Sequence, residues 1–379
     1  MSSPSNSNDI LYFDYNATHP PFTEILLEAY KEYSQNFFNP SGATRFSLSR
    51  QSVLENARAY FGEITNKDKN QFVFCSTGTE ANALLVASLV EYLKKFKRVL
   101  VSPFEHSSFY GSLDYFEIPF ELLKTDKSGT INLNDLENKL KEETSPVFVI
   151  YAGNETGVIQ PIQKIYSITS QYDMPIFSDL MQAFGKIEID YSLLEGFTFS
   201  GHKIGGGMGA SLCYLPSKYL KKEFGVFKGG NQENSHRAGT ENSPAILAFQ
   251  NSAKLQLASL EEKNKRLLTY RNQMEKKLKE LGAEIIAENS DRLPSTTFTL
   301  LPIEEVDFFM MGMEEANIIV STGSSCKSRT RDPSFSLLRM GYTKEEALRA
   351  IRISTGYFTN SEEIERLTVA IESIVRKLT

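Results

Sequence analysis

Between about residues 49 and 245, short runs of β-branched and aromatic residues alternate with amphipathic stretches. A chain patterned this way is confined to a mostly parallel sheet covered by helices, an α/β fold. The runs at 71–75, 98–101, 146–151, 175–178, 197–200 and 210–215 are the expected strands. Residues 52–64 read as a helix, because Ser52 and Glu55 fit a capping box and Val53, Ala57, Tyr60, Phe61 and Ile64 share a face. A second helix is expected from Thr79 to about Lys94. A long one, rich in Lys, Glu and Leu, is expected from about Ala245 to Leu281 as a bridge between two domains.

After Gly282 the texture changes. Short strands at 284–287, 296–300, 317–320 and 350–354 mix with helices at 303–316 and 361–377, the pattern of a smaller α+β domain. With 379 residues, two cores are affordable. The expected division is a large domain over 20–257 and a small domain made of 1–19 with 258–379. A net charge of −6 argues against a nucleic-acid surface, and no apolar run is long enough to span a membrane. The first nine residues carry neither an apolar signal core nor basic transit character, so a cytoplasmic protein is expected. Three cysteines without a C-x-x-C pair suggest no disulfide framework and no metal site.

Chemistry concentrates near the ends of the expected strands. Lys203, in F-T-F-S-G-H-K-I-G-G-G-M-G, lies just past one. Ligands of open α/β sheets bind there, and a Lys so placed can form a Schiff base with a carbonyl cofactor. A surface Lys in a flexible loop is the plainer alternative. Asp179 ends the preceding strand and could pair with a protonated pyridine nitrogen, or simply cap a helix. S-T-G-T-E (76–80) follows the 71–75 strand, where Gly78 allows close approach and Thr79 with the first free N–H groups can hold a phosphate. Ser200 and His202 could donate to the same phosphate.

These motifs, with F-N-P-S (38–41), E-H-S-S (105–108), G-N-E-T-G (153–157), D-L-M-Q (179–182), S-G-H-K (200–203), R-A-G-T-E-N (237–242) and S-T-G-S-S-C (321–326), stand in a family's order over nearly the whole chain. The chain resembles a cysteine desulfurase of the NifS/IscS type, in the class V aminotransferase group of fold-type I pyridoxal-phosphate enzymes. The resemblance implies that Lys203 binds pyridoxal 5'-phosphate covalently and shuttles the substrate Cα proton. It implies that Asp179 pairs the pyridine nitrogen and Gln182 meets the phenolic oxygen. His106 would stack on the ring and serve in acid–base steps. Gly78, Thr79, Ser200 and His202 would bind the phosphate, and Thr240 would complete that site from the second subunit of a homodimer. Asn154 would lie near ring and substrate, and Arg352 would fork the substrate carboxylate. An internal Asp or Glu would satisfy a buried Arg352 equally well.

Cys75 and Cys213 fall in expected strands, the setting of small buried hydrophobes. Cys326 falls in a polar stretch expected to be mobile, where a thiol can reach L-cysteine and later offer a persulfide to an acceptor protein, an iron–sulfur scaffold or a thiolation carrier. Lys327, Arg329 and Arg331 flank it, where relatives carry small neutral residues; they would favour the thiolate or guide an acidic acceptor, or be a solvated basic loop. Other departures are G-G-N-Q-E-N (229–234) for G-G-G-Q-E-R, L-M-Q after Asp179 where A-T-Q or A-V-Q is usual, and Gly153 for the first Asn of N-N-E-x-G. The chain ends at Thr379, soon after its last expected helix, which favours a specialised NifS-like desulfurase over a housekeeping one. Two rival readings stay open: another class V enzyme, such as an aminotransferase or selenocysteine lyase, and a non-catalytic binding paralogue.

Overall fold

The structure, a computed structural model, describes residues 10–220, 225–323 and 332–379. After β1 (Leu11–Tyr12) come β2 (Phe72–Cys75), β3 (Val99–Val101), β4 (Phe120–Leu122), β5 (Val147–Phe148), β6 (Ile176–Asp179), β7 (Gly196–Ser200) and β8 (Ser211–Tyr214). The last seven form one sheet in the order β2-β8-β7-β6-β5-β3-β4. Strands β7, β6, β5, β3 and β4 pair in parallel, whereas β8 runs antiparallel to both its neighbours. The expected mostly parallel α/β sheet is thus present. One strand, β4, was missed because F-E-L is a half-buried edge with no apolar run to mark it.

Helices cover both faces: α2 (Arg45–Thr65), α3 (Gly78–Leu93), α4 (Ser107–Tyr115), α5 (Leu133–Glu142), α6 (Ile162–Thr169) and α7 (Ser243–Ala258), with α1 (Thr23–Gln35) packed on α7 and α8 (Leu260–Glu280) packed against the carboxy-terminal part of the chain. Two expectations are corrected. Helix α2 begins seven residues before Ser52, because Thr44 Oγ1 accepts from Ser47 N and caps it there. Ser52 therefore sits inside the helix, its hydroxyl turned back onto Leu48 O at 3.0 Å. The expected helix 245–281 is two helices that break at Ser259, whose ψ of 8° leaves the helical range.

The core over one sheet face is rich in aromatics. Phe184 and Phe199 stack at 4.1 Å, and Phe61 and Phe249 meet at 4.8 Å. Such rings bury large apolar areas and keep the sheet edge stiff. A second sheet, in the order β12-β13-β10-β9, comprises β9 (Glu284–Ile285), β10 (Thr296–Leu300), β12 (Ser321–Thr322) and β13 (Ala350–Ser354), with β11 (Ile318–Ile319) lying outside it. The expected strand 317–320 is present only as β11, which pairs with β1, in parallel. The amino-terminal segment is thereby fixed to the carboxy-terminal part of the chain.

Candidate active site

The loops at the carboxyl ends of β2, β3, β5, β6 and β7 converge on a cavity of about 360 Å³. Its lining includes Gly78, Thr79, His106, Asn154, Asp179, Gln182, His202, Lys203 and Arg352, together with Asp14, Asn16 and Asn82. A wider surface groove of about 680 Å³ beside Tyr92, Tyr166 and Tyr219 contains none of them. Two sequence candidates lie off the cavity. The Ser200 hydroxyl is buried and accepts from Ser211 Oγ, on β8, at 2.8 Å. Thr240 is exposed on the single chain. Cys326, with Lys327, Arg329 and Arg331, lies outside the described residues; the described chain leaves off at Gly323, just past β12, where Ser321 is paired across from Arg352.

Lys203 Nζ donates to Asn16 O and Ala17 O, each at 2.8 Å. Neutral carbonyls hold the amine without neutralising it. Gln182 lies alongside: Lys186 Nζ donates to its Oε1 at 2.6 Å, which turns its Nε2 toward Asn16 O at 2.9 Å. The amide therefore has a defined donor end. Burial pushes the Lys186 ammonium well below the usual lysine range, with the charges of Lys203, Lys263 and Arg352 adding to the effect.

Asp179 is buried at the end of β6. Burial raises its carboxyl, but Asn82 Nδ2 donates to Oδ2 at 2.9 Å and Met181 N to Oδ1 at 2.8 Å, and these donors favour the ionised form. His106 caps α4: its Nδ1 accepts from Ser108 N at 3.2 Å. Capping and lining the cavity are thus combined in one ring. Burial lowers its pKa, and that of His202 falls to about 4 for the same reason, with Lys203 and Lys186 adding to it. Both rings are neutral at pH 7.

Helix α3 opens with Thr77 as its cap, its side chain accepting from Glu80 N, so Gly78 and Thr79 occupy the first turn. A Cβ at Gly78 would lie 2.8 Å from Met181 Cε. The two residues share a tight wall in which a larger side chain would displace the methionine.

Arg352, in β13, donates to Asp14 Oδ1 at 2.6 Å and to Asn154 O at 3.0 Å. The internal carboxylate that could satisfy this arginine is Asp14, 338 residues away in sequence. No local signal marks that pairing. Glu155, whose carboxylate accepts from Ser334 Oγ, is pushed up by burial to about 7, with the nearby Arg352 charge opposing the shift.

Residues 11–367 match the family model described as aminotransferase class-V. The chain is 30% identical over 375 residues to "Cysteine desulfurase IscS 1" of Archaeoglobus fulgidus, covering 97% of each. It is 28% identical to "Putative cysteine desulfurase IscS 1" of Bacillus subtilis, covering 97% of this chain and 99% of that protein. Among solved structures, a NifS-like protein from Rickettsia africae superposes with a TM-score of 0.86 at 30% identity, over 97% of this chain and 99% of that one. The chain belongs to the class-V aminotransferases, enzymes that depend on pyridoxal phosphate.

The cavity fits that cofactor. Its volume lies in the roughly 300–1,000 Å³ range of cofactor sites. It presents one lysine amine, one carboxylate furnished with two donors, a neutral imidazole and a helix amino terminus. Those are the partners that an aldehyde, a pyridinium nitrogen and a phosphate require.

Proposed function

We propose that this chain is a pyridoxal-phosphate-dependent cysteine desulfurase that converts L-cysteine to L-alanine and keeps the sulfur on Cys326 as a persulfide. The observation that carries this reading is the convergence of Lys203, Asp179, His106 and Arg352 on one cavity, in a chain with a single cysteine beyond the two buried ones. When bound, the cofactor supplies an electron sink that acidifies the substrate Cα proton. Lys203 is its attachment point and, as a free amine, the base that carries that proton. Asp179 keeps the sink charged, Gln182 offers a donor to the phenolic oxygen, and Gly78, Thr79 and His202 hold the phosphate. Asn154 and the fork of Arg352 orient the substrate carboxylate. The Cys326 thiolate attacks the substrate sulfur and the C–S bond breaks. The bonding pair stays on Cβ, which takes up a proton; Lys203 returns its proton to Cα, and alanine leaves.

In this reading residues 20–257 hold the cofactor, and residues 1–19 with 258–379 form the second unit. The protein works as a homodimer in which Thr240 completes the phosphate site of the other subunit. Exposed apolar side chains support a second copy: Leu27, Tyr30 and Leu48 are exposed, and so are Phe37 and Phe46 at the ends of a ladder through Phe38 with centroids 4.9 Å apart. The sulfur passes to an acceptor protein in the cytoplasm, an iron–sulfur scaffold or a thiolation carrier.

The test is incubation of the cofactor-loaded protein with L-cysteine, measuring alanine and mapping added sulfur by mass spectrometry. Alanine with one extra sulfur on Cys326, and neither in Cys326→Ala, is the expected result. Sulfur found on Cys75 or Cys213, or turnover unaffected in Cys326→Ala, would refute the assignment.

A further inference from the structure

Asp179 and His106 reach the cavity from different elements, the end of β6 and the start of α4, yet both are tied to one buried side chain. Asn82, in the second turn of α3, donates through Nδ2 to Asp179 Oδ2 at 2.9 Å and to Ser108 Oγ at 3.2 Å. Thr198 Oγ1, on β7, lies 2.6 Å from Asn82 Oδ1. The opposite amide orientation would set Oδ1 against the Asp179 carboxylate, acceptor to acceptor. The amino end must therefore face Asp179 and the hydroxyl of Thr198 must donate.

The chain continues through Ser108. Its Oγ lies 2.8 Å from His106 Nδ1, and its backbone N–H donates to the same nitrogen at 3.2 Å. A backbone N–H can only donate, so Nδ1 carries no proton and the neutral ring holds its proton on Nε2. Thr198, Asn82 and Ser108 thus form one directed series of donors, with a branch to Asp179.

We infer that Asn82 is a positioning residue of this site: its single amide orients the Asp179 carboxylate and, through Ser108, holds His106 as the Nε2–H tautomer. This rests on the functional reading above and adds to it a residue and a direction. His106 enters the reaction as a donor at Nε2. It can act as a base only after giving that proton up, because Nδ1 is already spoken for by the cap. Without Asn82, Asp179 keeps the Met181 N–H and loses its second donor. The other titratable groups facing Asp179 are Glu105, His106 and Lys203.

The experiment uses holoenzyme of wild type, Asn82→Ala, Thr198→Val and Thr198→Ser. For each, the pH titration of the cofactor's visible band, the cofactor dissociation constant and the melting temperature are measured. A carboxyl with one donor fewer holds its own proton more tightly and leaves the ring less positive. The titration midpoint is therefore expected to rise by about one pH unit in Asn82→Ala. Cofactor binding should weaken about tenfold. Thr198→Val, which frees the amide to rotate, should shift the midpoint the same way by less, and Thr198→Ser should restore the wild-type value. If Asn82→Ala does not fold, Thr198→Val against Thr198→Ser decides the matter. Variants that melt lower but titrate within about 0.2 units of wild type would overturn the inference, since a merely structural contact has that signature. A wild-type protein that forms no coloured complex would remove the functional reading itself; a coloured wild type with unshifted variants would remove only the role of Asn82.

Discussion

Lys203 and Arg352 are held by backbone and side-chain oxygens of the segment around residues 14–17, and that fixes what each substitution should do. Lys203 Nζ has two carbonyl acceptors, so Lys203→Ala removes both the attachment point and the proton carrier. It is expected to lose the visible absorbance on cofactor addition and to slow alanine formation by roughly the 10²–10⁴-fold that a positioned acid–base group supplies. Arg352→Lys keeps a charge but loses the fork that now spans Asp14 and Asn154. Its expected effect is a KM for cysteine raised about tenfold or more, a loss of roughly 1.5–3 kcal/mol from a charged hydrogen bond, with a smaller fall in kcat. Steady-state kinetics that show the reverse split would place Arg352 outside substrate binding.

Among the elements, the first turn of α3 and the loop that follows residue 224 each depend on one tight contact. Gly78→Ala would press a Cβ against Met181 Cε and Sδ, at 2.8 and 3.0 Å. The thioether end of Met181 is flexible and can swing aside, so the cost stays at about 1 kcal/mol or less and cofactor affinity should drop no more than about fivefold. Adding Met181→Ala should recover part of it, as a calorimetric titration of both variants would reveal. In the loop, Glu233, Asn234 and Ser235 all adopt positive φ, between 48° and 69°. Glu233 is held there by Arg58 at 2.8 Å and by Phe74 N at 2.7 Å, with both charged side chains buried. This clasp gives the Glu of G-G-N-Q-E-N a structural role that its sequence motif does not disclose. Arg58→Met leaves an unpaired buried carboxylate and is expected to cost about 3–5 kcal/mol in denaturant unfolding.

For the whole molecule, the fold was readable where a local pattern suffices and hidden where partners are distant. The central sheet, α3 and the placing of Asp179 and Lys203 at strand ends followed from runs of apolar residues and their boundaries. Asp14, Asn82 and Lys186 were not singled out, because each acquires its role from a contact set by tertiary folding: 338 residues separate Asp14 from Arg352, and 97 separate Asn82 from Asp179. His19, a residue that no local pattern marks, is buried among Tyr15, Phe22 and Phe358. Burial lowers its pKa from 6.5 to about 3. Below pH 6.5 the unfolded chain takes up a proton that the folded ring refuses, so stability present at neutral pH is lost as pH falls toward 3. The loss should reach about 2 kcal/mol by pH 5, and His19→Gln should flatten that part of the profile of unfolding free energy against pH. The pairing of Leu11–Tyr12 with Ile318–Ile319 reaches beyond stability. Residues 16 and 17, whose carbonyls hold the lysine amine, leave the ribosome long before the strand that seats their segment. A nascent chain not yet grown past residue 319 already carries Lys203 and the two carbonyls that hold it but no strand to seat them, so the cofactor pocket can be finished only once that distant pairing is made.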